Sequence, residues 1–553
     1  MNRRSFLGRG AAATTVFMSG SKAFAAASKL GGESGPIAET SAGKIRGVAE
    51  NKIYTFKGIP YGASTAGAGR FLPPSKPQGW TGVKDTLELG LRAPQLPGNL
   101  VPQMGVMDRT EPMGEDCLVL NVWSQGLKDG RKRPVMMWIH GGGFANGSAG
   151  FTLYDGHNLA ARHDVVLVSI NHRLNIFGFL YLAELGNAQF AQASNVGMLD
   201  IVASLEWVRD NIANFGGDPG NVTIMGQSGG GSKVSTLMGM PSAKGLFHRA
   251  IAMSGSAVNG ISASQATESA NRVLHALNLR PDQLAQLQRV PVAKMLDQTR
   301  AGPQPGGGNN GGFGLNLGPV VDGKTLPAVP FGAVASELSA DVPLMISSTE
   351  TESTWNPGLQ YDPIDDGELR GRVKQMLRAE DAAADRVIAV YKKNRPKASN
   401  LDVLLIMASD ASNFRTGTDT EADRKAVQAA RGKAPVYKAY FQWYSPVRGG
   451  FLRAMHTMDI PFALSNVDIA RTLVGDGKER YALEDKMSGA FVAFARGGNP
   501  DHKGIPHWPA YTPTQRATLI WNNQVRVADD PFREEKDAVA AAKGSAPQRR
   551  GAA

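Results

Sequence analysis

One serine, set among glycines, has the best sequence context for a nucleophile. Ser228 lies within Gly226-Gln227-Ser228-Gly229-Gly230-Gly231, directly after the run Val222-Thr223-Ile224. The β-branched run predicts a short buried strand, and the small and apolar residues after Gly231 can continue as a helix. A sharp turn between strand and helix would expose the serine hydroxyl. Glycines are required there because the turn is strained and the helix packs close to the strand. The alternative interpretation of this segment alone is an ordinary glycine-rich turn.

A second glycine run could serve the same chemistry. His140-Gly141-Gly142-Gly143 follows Pro134–Ile139, an uninterrupted apolar run typical of a strand buried on both faces. Acyl transfer passes through a tetrahedral oxyanion, which backbone N–H groups can stabilise, and glycines allow the substrate to approach. This run is also open to interpretation as a plain turn. Its position after a strand and before the serine motif favours an oxyanion hole in an acyl-transfer enzyme.

A serine nucleophile also requires a histidine base and an acid that orients the histidine. In the strand-turn-helix type of site, the acid lies between the serine and the histidine in the chain. Glu350 and Glu352 both follow the predicted strand Val342–Ile346. If that strand continues, both point to the same side, so alternation cannot decide between them. Asp322 is a third acid in the interval, but its Gly318–Gly323 setting is typical of a turn.

Several other segments predict the elements that position these residues. Val165–Asn171, Ala250–Met253 and Pro435–Phe441 indicate strands, and apolar residues from Ile201 to Ile212 recur at helical spacing. Strands that alternate with helices predict an α/β fold with a large, mostly parallel central sheet flanked by helices.

The domain organisation follows from composition along the chain. No internal repeat or clean linker interrupts residues 26–533, which predicts a single catalytic domain. Within it, residues 301–318 are rich in Gly, Pro and Asn and predict a long loop, whereas residues 364–432 are mostly helical in pattern. Residues 534–553 contain few apolar side chains that folding could bury, so we expect a disordered tail.

Residues 1–25 have the pattern of an export signal. Arg3 and Arg4 precede a short, weakly apolar run that ends at Ala23-Phe24-Ala25. Paired arginines, an apolar region and an A-x-A site predict a bacterial twin-arginine-type signal peptide and a periplasmic or secreted protein. The alternative is a disordered basic N-terminus. We expect no membrane span in the mature chain.

Charge and cysteine content exclude other classes. Cleavage after Ala25 would remove four basic residues and lower the net charge from +11 to +7. The remaining basic residues form no dense run with interleaved aromatic residues, so we expect no nucleic-acid partner. Cys117 is the single cysteine, which excludes an internal disulfide and a cysteine-ligated zinc site, and its apolar segment predicts a buried, inert thiol.

Taken together, these motifs resemble the type-B carboxylesterases, the cholinesterase-like branch of the α/β-hydrolases, over about residues 43–521. The segments that carry the resemblance are Phe56–Tyr61, Arg70-Phe71, Glu115–Val122, Asn171–Leu174, Asn195–Asp200 and the serine motif. The family's usual serine motif is G-E-S-A-G, and here Gln227 and Gly229 replace the glutamate and alanine.

The resemblance implies the remaining site residues. It implies an α/β-hydrolase fold, His456 as the base and Glu352 as the acid, although Ser347 stands where the family has glycine. It implies that the N–H groups of Gly142, Gly143 and Gly229 form the oxyanion hole. We expect no cofactor and no metal.

The same resemblance implies several structural contacts. Arg173 is expected to pair with Asp200, Arg70 with Glu115, and Ser254 to lie near the acid. Asp459 stands at a position where the family usually has glutamate. Ala93 occupies the position of a cysteine that pairs with Cys117 in eukaryotic members.

The leading functional hypothesis is a serine carboxylic ester hydrolase that acts on a small-molecule ester. A second hypothesis keeps the machinery but assigns an amide, carbamate or thioester substrate. A third, a cholinesterase-like binding module without catalysis, is disfavoured because all three triad positions are filled. The sequence names neither the natural ester nor the oligomeric state.

Overall fold

The computed structural model describes residues 35–97, 111–300, 315–355 and 362–544. The predicted signal segment and residues 301–314 of the predicted loop lie outside these ranges.

The strands are β1 (Ile37–Thr40), β2 (Gly43–Arg46), β3 (Val48–Glu50), β4 (Ile53–Pro60), β5 (Val83–Asp85), β6 (Val119–Ser124), β7 (Arg133–Ile139), β8 (Val166–Ile170), β9 (Gly217–Gln227), β10 (Arg249–Met253), β11 (Ile261–Ser262), β12 (Val320–Val321), β13 (Leu344–Thr349), β14 (Val436–Phe441), β15 (Ala517–Trp521) and β16 (Arg526–Asp529). The helices are α1 (His157–His163), α2 (Asn175–Phe179), α3 (Val196–Asn211), α4 (Gly229–Leu237), α5 (Ala263–Ala276), α6 (Val292–Asp297), α7 (Asp366–Leu377), α8 (Asp381–Asn394), α9 (Asn400–Asp410), α10 (Asn413–Ala429), α11 (Val447–Gly450), α12 (Ile460–Ala463), α13 (Arg471–Val474), α14 (Glu479–Gly497) and α15 (Arg533–Gly544).

A central sheet of eleven strands runs through the described residues in the order β16-β15-β14-β13-β10-β9-β7-β8-β6-β4-β3. All neighbours from β15 to β8 pair in parallel, and the outer strands at both edges pair antiparallel. Strands β1, β2 and β5 form a separate small sheet. The large, mostly parallel sheet predicted from the sequence is confirmed.

The strands form where the sequence supplies apolar runs. Every residue of β7 and β8 is buried, as expected for strands covered by helices on both faces. Alternate side chains of β7 enter two different cores: Val135 and Met137 lie in one, and Met136 and Trp138 in the other. Because the central strands are parallel, their carboxyl ends share one edge of the sheet, and the loops that carry the candidate site leave from that edge.

The expectation of a disordered tail from residue 534 is wrong for residues 534–544. Helix α15 begins at Arg533 and packs against α7, α8 and α9. The Glu535 carboxylate is wholly buried and forms an ion pair with Arg395, while Val539 and Ala542 join the apolar cluster of these helices. Residues about 140 positions earlier in the chain, such as Arg395, stabilise this helix. The composition of the segment itself therefore could not predict the helix. Residues 545–553 lie outside the described ranges.

The described helices include none with the length and apolar character that crossing a membrane requires.

Candidate functional site

Ser228 occupies a strained turn between β9 and α4. Its φ and ψ are 60° and −126°, a conformation that few non-glycine residues adopt. Its N–H donates to the carbonyl of Met253 at 2.8 Å. A Cβ placed on Gly230 would lie 2.1 Å from the carbonyl oxygen of Ile139, so glycine is required for the close contact of α4 with β7. The turn leaves Ser228 partly exposed, as the sequence predicts.

The glycine run after β7 lies against the start of α4. Gly142 and Gly143 are exposed and have φ values of 89° and 61°. A Cβ added to Gly229 would lie 2.4 Å from the backbone nitrogen of Gly143, so the glycine at this position permits an unusually close approach. In the described part of the chain, the N–H groups of Gly142, Gly143 and Gly229 donate to no other residue. Three backbone donors are therefore available beside Ser228.

The His456 imidazole is held by contacts on several sides. Its Nδ1 lies 2.5 Å from Oε2 of Glu352, and the side chain is 8% exposed. The Phe414 ring packs against the imidazole with a centroid distance of 4.4 Å. The following residue, Thr457, has a φ of 79°, which is rare for a β-branched residue and typical of functional loops.

Glu352 is wholly buried and well supplied with donors. Its Oε1 accepts hydrogen bonds from Ser254 Oγ and from the N–H of Thr349, each at 2.7 Å. Burial raises the pKa of this carboxyl, but His456 and the donated hydrogen bonds outweigh burial and leave the pKa below its usual value. The carboxylate is therefore ionised near neutral pH.

A backbone link explains why the acid and histidine loops meet. Thr351 forms a parallel bridge with Met455, and its N–H donates to the carbonyl of Ala454 at 3.1 Å. The residues that follow Thr351 and Met455 are Glu352 and His456. The link thus brings the carboxylate and the imidazole together.

The two other candidate acids lie elsewhere. Glu350 accepts from Gln442 Nε2 at 2.8 Å and lies 3.5 Å from Arg395. Strand β13 ends at Thr349 and a 3-10 turn begins at Glu352, so the two glutamates do not project to the same side as a continued strand would require.

Asp322 belongs to a local turn. Its carboxylate accepts from Ser194 Oγ at 2.6 Å and from the N–H groups of Lys324 and Leu326 at 2.9 and 3.0 Å. The turn N–H groups and the remote Ser194 hydroxyl satisfy the carboxylate, in keeping with the interpretation of its sequence as a turn.

Two polar residues near the histidine appear in the sequence only as departures from the family pattern. Gln227 is 1% exposed, and its Nε2 lies 3.3 Å from both ring nitrogens of His456. Asp459 is wholly buried, and neither of its carboxylate oxygens has a hydrogen-bond partner in the described ranges. Burial, followed by the charge of Glu352, raises the pKa of Asp459 to about 8. Their burial depends on the fold, so sequence alone could not place them beside the candidate histidine and acid.

Two ion pairs expected from the resemblance are present. Arg173 and Asp200 are both buried and joined by two side-chain hydrogen bonds of 2.8 and 2.6 Å. Arg70 contacts Glu115 in the same bidentate manner at 2.7 and 2.6 Å. The free Cys117 is also buried, as predicted, and burial raises the pKa of its thiol. The two ion pairs anchor the loops that surround the carboxyl edge of the parallel strands.

No group of three or more His, Cys, Asp or Glu side chains within the described ranges is arranged to hold a metal ion.

Comparison with known proteins identifies the family. The model of the carboxylesterase family matches residues 34–539. The para-nitrobenzyl esterase of Bacillus subtilis strain 168 is 34% identical over 520 residues, which cover 92% of this chain and 99% of that protein. The phenmedipham hydrolase of Pseudarthrobacter oxydans is 32% identical and is matched over 91% of this chain and 99% of its own length.

Solved structures show the same fold. An esterase from Clostridium hathewayi, described as able to hydrolyse aliphatic aromatic polyesters, aligns with a TM-score of 0.78 and 33% identity over 92% of this chain and 99% of its own. A Geobacillus stearothermophilus carboxylesterase aligns with a TM-score of 0.73 and 35% identity over 91% and 99% of the two chains. The fold is therefore that of the α/β-hydrolases, and the chain is an ester-hydrolysing enzyme that belongs to the carboxylesterase family.

Proposed function

We propose that the protein is a serine carboxylic ester hydrolase that forms an acyl-enzyme on Ser228, with His456 as the base and Glu352 as the acid. The observation that carries this proposal is the 2.5 Å contact between His456 Nδ1 and Glu352 Oε2, on an imidazole that the residue before Ser228 also contacts. Gln227, the residue before the serine, lies 3.3 Å from the same imidazole. A buried acid, an oriented histidine and a partly exposed serine are the parts of such a nucleophilic site.

The first half-reaction transfers the acyl group to the enzyme. Glu352 accepts a hydrogen bond from the Nδ1–H of His456, so Nε2 keeps a lone pair that can accept the proton of Ser228 Oγ. As Oγ bonds to the ester carbonyl carbon, the carbonyl oxygen becomes an oxyanion, and backbone N–H groups of Gly142, Gly143 and Gly229 donate to it. Collapse breaks the ester C–O bond, and the imidazolium returns the proton to the departing alcohol.

The second half-reaction releases the acid. His456 accepts a proton from water as the water oxygen adds to the acyl carbon. Collapse of this intermediate breaks the bond between the acyl carbon and Ser228 Oγ and releases the carboxylic acid, and the His456 imidazolium returns its proton to Oγ. Throughout, the ionised Glu352 holds one tautomer of His456 and stabilises the imidazolium. The lowered pKa of Glu352 supports this role because the carboxylate retains its charge near neutral pH.

A small-molecule carboxylic ester is the proposed substrate class. Relatives named acylcarnitine hydrolase, from Mus musculus, and cocaine esterase, from Oryctolagus cuniculus, are 33% and 31% identical to this chain. A fatty acyl-CoA hydrolase from Anas platyrhynchos, 31% identical, favours a thioester as the second candidate. Comparison of kcat/KM for matched p-nitrophenyl esters, thioesters and anilides tests the ranking of carboxylic esters above the other two substrate classes. A higher value for the thioester or the anilide than for the ester would contradict it.

The proposal predicts that Ser228→Ala abolishes turnover. Loss of the nucleophile should lower kcat for a p-nitrophenyl ester by roughly 10⁴-fold or more, because triad members act as a unit. Thermal unfolding should change little, since the substitution removes only one oxygen atom. Turnover at the wild-type rate would exclude Ser228. An inactive wild-type protein, tested with the full ester panel, would instead favour the binding-module hypothesis.

The paired arginines and the single-domain pattern support two proposals on processing. We infer that residues 1–25 direct export by a twin-arginine route to the periplasm or beyond, and that residues 26–533, extended by helix α15 to residue 544, form one catalytic domain. Replacing Arg3 and Arg4 with lysine should retain the protein in the cytoplasm, as fractionation and immunoblotting would show. Unchanged periplasmic activity in that variant would contradict the export proposal.

A further inference from the structure

A buried lysine lies on the helix that begins at the nucleophile. Lys233, in the second turn of α4, is 0% exposed. Its Nζ donates to the carbonyl oxygen of His140 at 3.0 Å and lies 5.6 Å from the centroid of the Phe144 ring. Burial lowers the pKa of Lys233 to about 7, and no ion pair joins it to a carboxylate in the described ranges. Burial of an amine without a counter-ion costs stability, so stability does not explain the lysine.

The two contacts of Lys233 flank the glycine run. His140 precedes Gly141 and Phe144 follows Gly143, so one side chain contacts both ends of the three-glycine segment. Glycines have the greatest backbone freedom, and a segment of three requires external contacts to hold a single conformation. Because Lys233 and Ser228 belong to the same turn and helix, these contacts connect the glycine run to the nucleophile.

The glycines of the run and those at the start of α4 approach each other through backbone atoms. A Cβ at Gly229 or Gly230 would collide with Gly143 or Ile139, which shows how closely the two segments approach. These glycines contribute no side chain to limit sliding of the run along the helix. Among the residues described here, the Lys233 ammonium is the side chain that bonds α4 to the His140 carbonyl.

We propose that Lys233 is a positioning residue that holds the oxyanion-hole glycines at the distance from Ser228 required by the tetrahedral intermediate. The inference rests on the proposed function, because it assumes that the N–H groups of Gly142 and Gly143 stabilise an oxyanion. Lys233 touches neither the substrate nor the reacting atoms and acts through the backbone of the glycine run. A small displacement of such donors is expected to slow the chemistry more than it weakens ground-state binding.

The test substitutes Lys233→Met, which keeps the length of the side chain and removes the amine. Lys425→Met is a matched control, since Lys425 is also wholly buried and donates to the carbonyl oxygens of Ser339 and Ala340 at 3.0 and 2.9 Å. These contacts lie outside the candidate site. The measurements are kcat and KM for p-nitrophenyl acetate and the inhibition constant of trifluoroacetophenone, a ketone that serine converts to a tetrahedral hemiketal.

The inference predicts that Lys233→Met lowers kcat by at least about 10-fold with KM changed less than about 3-fold. The inhibition constant of trifluoroacetophenone should rise by a similar factor. Lys425→Met should leave kcat and this inhibition constant close to the wild-type values. Lys233→Gln retains an N–H donor and should lose less activity than the methionine variant. If the methionine variant fails to fold, Lys233→Leu, which also removes the donor, provides the same measurement.

Two outcomes would overturn the inference. One is a Lys233→Met enzyme with kcat and ketone affinity within about 3-fold of wild type. The other is a loss of kcat without loss of ketone affinity, which would show that the oxyanion site is intact. Failure of the underlying function is distinguishable, because wild type would then take up no fluorophosphonate on Ser228. If only the Lys233 inference fails, wild type and variant are labelled alike.

Discussion

Glu350 and Glu352 are separated by one residue, yet their surroundings are opposite. Glu352 accepts from Ser254, from the Thr349 N–H and from His456, and its pKa lies below the usual value. Glu350 accepts from Gln442, and burial raises its pKa despite the nearby Arg395. Both carboxyls are buried, so burial alone does not decide which of them is the better candidate for the catalytic acid. The difference lies in the donors that the fold supplies to each carboxylate.

The largest effect that this comparison predicts is on turnover. Glu352→Gln should lower kcat by about 10³-fold or more with little change in fold, because the amide no longer fixes the histidine tautomer or balances the imidazolium. Steady-state kinetics with a p-nitrophenyl ester, together with near-UV circular dichroism, provides the measurement.

Glu350→Gln is the matched control. It makes the same chemical change two residues away and should alter kcat by less than about 3-fold, since Glu350 does not contact His456 in the described contacts. A large loss in Glu350→Gln with a small loss in Glu352→Gln would identify Glu350 as the acid and contradict the comparison.

A smaller effect is expected in the pH dependence of stability. The pKa of Glu352 is lower in the folded state, so its contribution to stability is full above the unfolded-state pKa of about 4.3 and is lost as pH falls through the folded pKa. The pKa of Glu350 is raised, so the stability it provides is present below the unfolded-state pKa and decreases as pH rises towards the folded pKa.

Urea unfolding of both glutamine variants from about pH 2 to about pH 8 measures these slopes. Relative to wild type, Glu352→Gln should lose stability as pH rises to about 4.3 and keep a constant difference above it, because the wild-type carboxylate is then fully ionised in both states. Glu350→Gln should instead gain stability relative to wild type as pH rises above about 4.3. If stability relative to wild type changed with pH in the same way for the two variants, the Glu350 and Glu352 carboxyls of the wild-type protein would have similar environments, which would contradict the comparison.

The parts of the site that depend on local sequence were predictable. The β-branched residues before Gly226 and the glycines after Ser228 indicated the strand, the turn and the helix, and the structure contains β9 and α4 at these positions. The apolar run before His140 likewise predicted β7. In each case the pattern that determines the element lies within the element itself.

The parts that depend on distant contacts were not predictable from local pattern. Alternation could not separate Glu350 from Glu352, because the choice depends on where β13 ends and on the bridge between Thr351 and Met455. Helix α15 was missed because Arg395, its ion-pair partner, is remote in sequence. Only the fold brings such partners together.

The most direct test of the account is covalent labelling of the proposed nucleophile, Ser228. Wild-type protein is incubated with a fluorophosphonate, digested and mapped by mass spectrometry while ester hydrolysis is followed in parallel. The account predicts one adduct per chain, on Ser228, in proportion to the activity lost. An adduct on another serine, or full loss of activity with Ser228 unmodified, would contradict it.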